Sequence, residues 1–323
     1  TIHKALEASV RETGRTYFER NEANPLEEDL IIVDEASMLD ISLFYHLLCA
    51  LKDGARLILV GDIDQLPPVG AGEPLKDLMS WGYVPIVRLK RIFRQEEGSG
   101  IVENAALIRK GEMCVPDEAG EFRIIYAADD EDAYRIVMDL CRELNYGNEE
   151  NKMLLQVLSP MYRGVCGVDH LNESLQEMIH GEKVPDGMKF FPGDKVMQTR
   201  NDYEKGIYNG DVGTVWTATP QKVFVRYFDK EVVYEGEERF DLRLAYAVTV
   251  HKSQGSEYET VIFILRPSQH NMLQRNLLYT GVTRARKNTI LVTAPDALRR
   301  ALAIQHTGNR YSLFLPFLNH EAL

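Results

Sequence analysis

The residues with the most chemical potential are two adjacent carboxylates, Asp34 and Glu35, which follow the apolar run Leu30-Ile31-Ile32-Val33. A short continuous run of this kind predicts a strand of a parallel sheet covered on both faces. Acids at the carboxyl end of such a strand lie where open α/β sheets bind ligands. There one carboxylate, Asp34, can hold Mg²⁺ while its neighbour polarises an attacking water. A strand followed by an acidic helix cap is the plainer reading of the same decapeptide, since acids favour a helix N-terminus.

A second cluster is Gly61-Asp62-Ile63-Asp64-Gln65, directly after the apolar run 56–60. Glycine lets the chain turn sharply off a strand end. A neutral amide such as Gln65 can bond both a terminal phosphate oxygen and a water. An Asp-rich turn closed by Pro67 and Pro68 is the structural alternative. Phe93-Arg94-Gln95 and Thr283-Arg284-Ala285-Arg286 each place an arginine near a junction between sheet domains. A planar guanidinium suits bidentate contact with phosphate, although pairing with one of the chain's many acids is the commoner fate of an arginine. The stretch 247–257 gathers Thr249, His251, Lys252, Ser253 and Gln254 before Gly255 and Glu257. These donors suit a phosphodiester backbone without reading its bases, and they equally suit a helix capped by Thr249 or Ser253.

The elements that must position these residues follow from the apolar patterning. Residues 1–13 fit a helix through Ile2, Leu6 and Val10. The strand 30–33, a helix through Leu43, Leu47, Leu48 and Leu51 with Ser37 or Asp40 as cap, and the strand 56–60 make a βαβ unit, hence a parallel sheet. A helix over 73–80 and a third strand over 84–89 follow. Helix 101–110, strand 122–127, helix 130–145, strand 154–158 and helix 168–180 predict a second sheet. Between 187 and 243 short strands and an Asn209-Gly210 turn predict a small inserted antiparallel barrel. The α/β pattern then resumes with strand 260–265, helix 270–285, strand 288–293 and a helix from Pro295. The expected division is therefore 1–84; 85–186 with 244–323; and the insert 187–243.

The chain has 323 residues, 45% apolar and 27% charged, which is ordinary for a soluble globular protein. No apolar run approaches the roughly 20 residues that span a bilayer, no signal peptide is visible, and no membrane partner is expected. Four scattered cysteines without a Cys-x-x-Cys pair argue against zinc and for a reducing, cytoplasmic setting. A net charge of −12 excludes a purely electrostatic nucleic-acid binder, but not a narrow groove with stacking side chains.

In order, these motifs resemble a superfamily I DNA helicase of the RecD type, over nearly the whole chain. The matching segments are VDEASM (33–38), GDIDQLPPVGAG (61–72), IFRQ (92–95), AVTVHKSQGSEYE (247–259) and YTGVTRARK (279–287). TIHK (1–4) resembles the segment after the family's motif Ia, and FPGDKVMQTRNDY (191–203) the start of its inserted barrel. The resemblance implies two RecA-like P-loop NTPase domains, the first incomplete here, with a small SH3-like barrel in the second. It implies ATP and Mg²⁺ as cofactors, and 5′-to-3′ movement on single-stranded DNA in recombination or repair. Asp34 would hold Mg²⁺ and Glu35 would activate water. Gln65, Arg94 and Arg284 would contact the γ-phosphate. Gly61, Asp62, Gly255 and Glu257 would line the nucleotide, with Glu257 near its sugar. Thr1, His3, Thr249, His251 and Lys252 would line the strand.

One expected feature is missing: the chain contains no G-x-x-x-x-G-K-[ST] loop to cradle phosphates. The expectation is a C-terminal part of a longer helicase, inactive alone, with apolar surface or a sheet edge left open in the first domain. RecB-like and RecC-like subunits are the partners the family admits, as is a stand-alone enzyme. The alternatives are the helicase part of a conjugative relaxase and a non-catalytic DNA-binding or assembly subunit.

Overall fold

The computed structural model describes residues 1–10, 16–89, 98–185, 187–305 and 314–319. The chain divides into two compact units, Thr1–Arg91 with Thr307–Leu323, and Ile92–His306.

In the first unit the helix expected over 1–13 lasts one turn, α1 (Ile2–Ala5), capped by the Thr1 hydroxyl. Glu7 adopts a left-handed φ of 51° and breaks it. The chain then runs extended as β1 (Ala8–Val10), paired antiparallel with β2 (Thr16–Phe18). β3 (Leu30–Val33), α2 (Ile41–Cys49) and β4 (Arg56–Leu59) form the expected parallel unit, in register from Leu30↔Arg56 to Val33↔Leu59. Asp40, not Ser37, caps α2: its Oδ1 accepts the Leu43 amide at 2.8 Å. α2 packs Leu47 onto Val33, Phe18 and Leu26 in a small core.

Coverage of this sheet on both faces is not what the structure shows. Val33 is buried on the α2 side, whereas Ile32 is 61% exposed and Ile58 46% exposed. The period-2 alternation of strand side chains sends Leu30 and Ile32 to a face that nothing among the described residues covers. The strand expected over 84–89 does not form either. The segment follows α3 (Pro74–Trp81) without a sheet partner among the described residues, Pro85 offers no amide, and Val87 and Leu89 stay exposed. The C-terminal helix Phe314–Leu318 belongs to this unit. The Trp81 indole donates to the Leu318 carbonyl at 3.1 Å, and Phe314 meets Phe44 edge-on at 5.8 Å.

The second unit contains α4 (Gly100–Lys110), β5 (Phe122–Tyr126), α5 (Asp130–Glu143), α6 (Glu149–Leu154), β6 (Leu155–Ser159) and α7 (Val168–His180). There follow β7 (Lys195–Gln198), β8 (Val212–Ala218), β9 (Lys222–Arg226), β10 (Glu231–Glu235) and β11 (Leu242–Leu244). The unit closes with β12 (Ala247–Thr249), β13 (Tyr258–Leu265), α8 (Arg275–Val282), β14 (Ala285–Thr293) and α9 (Pro295–Ala303). Its main sheet is parallel throughout, in the order β12-β6-β13-β14-β5. Here coverage on both faces holds: Val261 to Leu265 are all fully buried. Helix 270–285 proves shorter than its periodicity predicts. A 3₁₀ turn at Pro267–Met272 precedes α8, and the chain is already extended at Ala285.

The insert forms the expected antiparallel sheet, ordered β10-β9-β8-β7-β11, around Val196, Val215, Val225, Tyr234 and Leu242. Two buried charges root it in the parallel sheet. The Asp194 carboxylate accepts bonds from the Phe191 amide at 2.7 Å and the Tyr246 hydroxyl at 2.9 Å, and pairs with His180 Nε2 at 2.9 Å. Lys195 Nζ donates to the carbonyls of Lys152 and Leu155 and to Gln156 Oε1, at 2.7, 3.1 and 2.9 Å. Complete burial, with Lys152 nearby, pulls the Lys195 pKa down to about 7.

Candidate functional site

Glu35 leaves β3 in the left-handed region, φ 51° and ψ 38°. A non-glycine residue there carries a cost of about 1–2 kcal/mol, held in place by the surrounding fold. The turn that follows, Ala36–Met38, is a single 3₁₀ turn, not a helix N-terminus on the acids. Asp34 is exposed, and its Oδ1 accepts the Glu35 amide at 2.8 Å. This leaves carboxylate oxygen capacity facing outward at the strand end.

The Gln65 loop is locked onto this acid turn. The Val60 amide donates to the Val33 carbonyl and the Ala36 amide to the Val60 carbonyl, both at 2.8 Å, which carries the β3–β4 ladder past the strand ends. A Cβ on Gly61 would lie 2.8 Å from the Ser37 backbone nitrogen, so only glycine admits this approach. Asp62 organises the turn: its Oδ1 accepts the Asp64 amide at 3.0 Å and its carbonyl the Gln65 amide at 3.2 Å. Gln65 and Ser37 line one cleft of about 20 Å³, room for a single water. The buried Ser37 hydroxyl, which the sequence offered only as a helix cap, has no protein partner among the described residues.

Thr1 and Asp34 line a separate groove of about 870 Å³ with Lys4, Leu30 and Ile32. His3 packs towards Phe18, ring centroids 5.9 Å apart. Burial lowers the His3 pKa, with Asp40 acting in the opposite direction and the N-terminal amine adding to the lowering.

In the second unit Thr249 ends β12, and a turn, not a capped helix, follows. Its Oγ1 accepts the Lys252 amide at 3.3 Å and its carbonyl the Ser253 amide at 3.1 Å. His251 is half-buried in the same turn. Gly255 takes a φ of 77°. Arg284 is 2% exposed: Nε donates to the Thr280 carbonyl at 3.2 Å and Nη1 to the Ser256 carbonyl at 3.3 Å. Glu257 accepts from Arg286 Nε at 2.7 Å. The segments 247–257 and 279–287, far apart in sequence, thus meet at the β13–β14 edge. Arg94 lies outside the described residues. Lys252 Nζ donates to Asn209 Oδ1 of the insert, a partner that no sequence spacing indicates. Burial lowers the Lys252 pKa, and the positive charge of Arg243 adds to this.

Three family models match the chain: an AAA domain over residues 1–123, the SH3 domain of ATP-dependent RecD-like DNA helicases over 171–227, and the UvrD-like helicase C-terminal domain over 244–292. The chain is 37% identical over 317 residues to the ATP-dependent RecD2 DNA helicase of Deinococcus radiodurans, covering 97% of this chain and 42% of that protein. It is 32% identical to the RecBCD enzyme subunit RecD of Mycolicibacterium smegmatis, covering 97% and 59%. The chain thus spans roughly half the length of these two relatives. Its fold matches the crystal structure of Pif1 helicase from Bacteroides in complex with ADP-AlF3 and ssDNA, with a TM-score of 0.57 and 20% identity over 99% of this chain and 82% of that one.

The RecA-like parallel-sheet fold and these motifs in this order are those of the superfamily I helicases. Within that class the barrel match and the two curated relatives are specific: the chain belongs to the RecD-type helicases.

Proposed function

We propose that this chain is the C-terminal part of the motor of an ATP-dependent DNA helicase that moves 5′ to 3′ on single-stranded DNA, in recombination or repair in the cytoplasm. The observation that carries the reading is the locked pair of turns in the first unit. Gly61 presses the Gln65 loop onto the Asp34-Glu35 turn so closely that one cannot move without the other.

Asp34 fits Mg²⁺ as a single carboxylate ligand, because that ion keeps waters and phosphate oxygens in the rest of its shell. Among the described residues no cluster of three or more acids, histidines or cysteines offers a full cage. Bound there, Mg²⁺ would neutralise phosphate charge. Glu35 orients and deprotonates the attacking water, and Gln65 bonds the terminal phosphate. Arg94 and Arg284 are assigned to the same phosphate from the second domain, with Gly255 and Glu257 beside the nucleotide. For Arg284 this requires exchanging its carbonyl partners for phosphate. Thr1, His3, Thr249, His251 and Lys252 hold the strand.

The working division is 1–84 and 85–186 with 244–323 as motor domains, and 187–243 as a barrel that guides the strand. The phosphate-cradling loop comes from sequence outside this chain, and the open apolar face of β3 and β4 is where the rest of that domain packs. RecB-like and RecC-like subunits are the candidate partners, as one relative's name suggests. The test is strand displacement by the full-length protein on forks with a 5′ or a 3′ tail. Unwinding only of the 5′-tailed fork, abolished by E35Q, is expected. Unwinding of the 3′-tailed fork alone, or ATP-independent strand binding without unwinding, overturns the reading.

A further inference from the structure

β6 and β12 are neighbouring parallel strands, and Ser159 is in register with Thr249 at their carboxyl ends. Three residues beyond each lie Tyr162 and Lys252, so the two side chains issue from adjacent loops at one sheet edge. This is the edge where open α/β sheets bind ligands. The last strand of the insert, β11, brings Arg243 to the same place: its guanidinium lies over the Tyr162 ring, 5.8 Å from the centroid.

The Arg243 side chain remains 58% exposed, and its ion pair to Asp169 is long at 3.7 Å. Tyr162 is 42% exposed. Lys189, at the same root, donates to the Leu242 carbonyl at 2.7 Å. Burial lowers the Lys189 pKa as it does that of Lys252, and the charge of Arg243 adds to both, so three cations gather here in a chain of net charge −12. Like charges grouped beside an accessible aromatic ring suit a polyanion that also offers flat bases.

We propose that Tyr162 and Arg243 form a nucleotide subsite that continues the strand path beyond Thr249 and Lys252. The Tyr162 ring stacks on one base and the Arg243 fork holds a flanking phosphate. The phosphate displaces the long Asp169 pair from that fork, and Asn209 aims Lys252 at the next phosphate. The inference rests on the single-strand reading above, and the experiment separates the two.

Binding of a fluorescein-labelled oligo-dT by the full-length protein is followed by anisotropy across a salt series. One phosphate contact to single-stranded nucleic acid contributes roughly 0.7 to the slope of log K against log salt. R243Q is expected to lower the slope by about that amount, while R243K keeps it. Y162L is expected to weaken binding by roughly fivefold or more, at an unchanged slope. D169N, which removes a competing anion, is expected to bind as tightly as the parent or tighter. Normal melting of each variant checks that it folds. An R243Q protein with unaltered slope and affinity overturns the subsite, as does a D169N variant that reproduces the R243Q loss. A parent protein that does not bind the oligonucleotide overturns both readings.

Discussion

Glu35 shows how a single backbone conformation can set up chemistry. Its left-handed φ turns the chain abruptly off β3, so that two successive acids leave the strand end by different routes. A general base and a metal-holding acid need that separation of roles. In the full-length protein E35Q is expected to reduce ATP turnover by roughly 10²-fold or more while nucleotide binding persists, as read by steady-state turnover and analogue binding. D34N is expected to raise the Mg²⁺ concentration needed for half-maximal turnover, which a metal titration reads directly. Equal turnover for E35Q and parent would remove the base from this position. The meeting of the Asp34-Glu35 turn with the Gly61–Gln65 turn was legible because residue types and a βαβ spacing carry that signal. The burial of Ser37, the Asn209–Lys252 contact and the places of Tyr162 and Arg243 were not, because each depends on strand register or on the root of the insert, and a one-dimensional spacing contains neither.

At the scale of elements, the same kind of apolar run had two fates. Val261–Leu265 is buried on both sides because helices and neighbouring strands surround β13, whereas Leu30–Val33 is buried on one. Sequence patterning reports an element's preference and is silent about whether its neighbours are present. It also missed α6 and the short 3₁₀ break before α8, where local capping decides over periodicity. The joint between the insert and the parallel sheet yields a pH prediction. Lys195 titrates near 7 in the folded chain and near 10.4 in the unfolded one, so between those values the unfolded state binds more protons. Stability should therefore rise with pH across that window, and the cost of the buried cation should be fully present below pH 7. K195M removes this titration, so melting midpoints of parent and variant should converge from acid to alkaline pH, apart from a constant offset for the carbonyls it strands. A difference that does not change with pH would mean that Lys195 keeps its proton throughout.

For the molecule as a whole the unusual feature is the outer face of β3 and β4. Leu30, Ile32, Ile58 and Val60 are each between 43% and 61% exposed, on a sheet of two strands among the described residues. Fully burying an aliphatic side chain of this kind contributes roughly 1.5–3 kcal/mol, so covering the four half-exposed ones is worth several. Soluble proteins seldom leave such a face bare, and an open parallel edge beside it invites further pairing. The groove shared by Thr1 and Asp34 borders the same face, so whatever covers it also borders the acid that would hold Mg²⁺. Two linked outcomes are expected. The isolated chain should self-associate, and I32D with I58D should reduce that association as followed by light scattering. In the full-length protein the same pair of substitutions should instead lower stability and ATP affinity together, as the packing proposed above requires. Full-length protein that tolerates both aspartates without loss of stability or nucleotide binding would show that the face remains open. The phosphate-binding half of the first domain would then have to pack elsewhere, and Asp34 would lose the neighbour its proposed role requires.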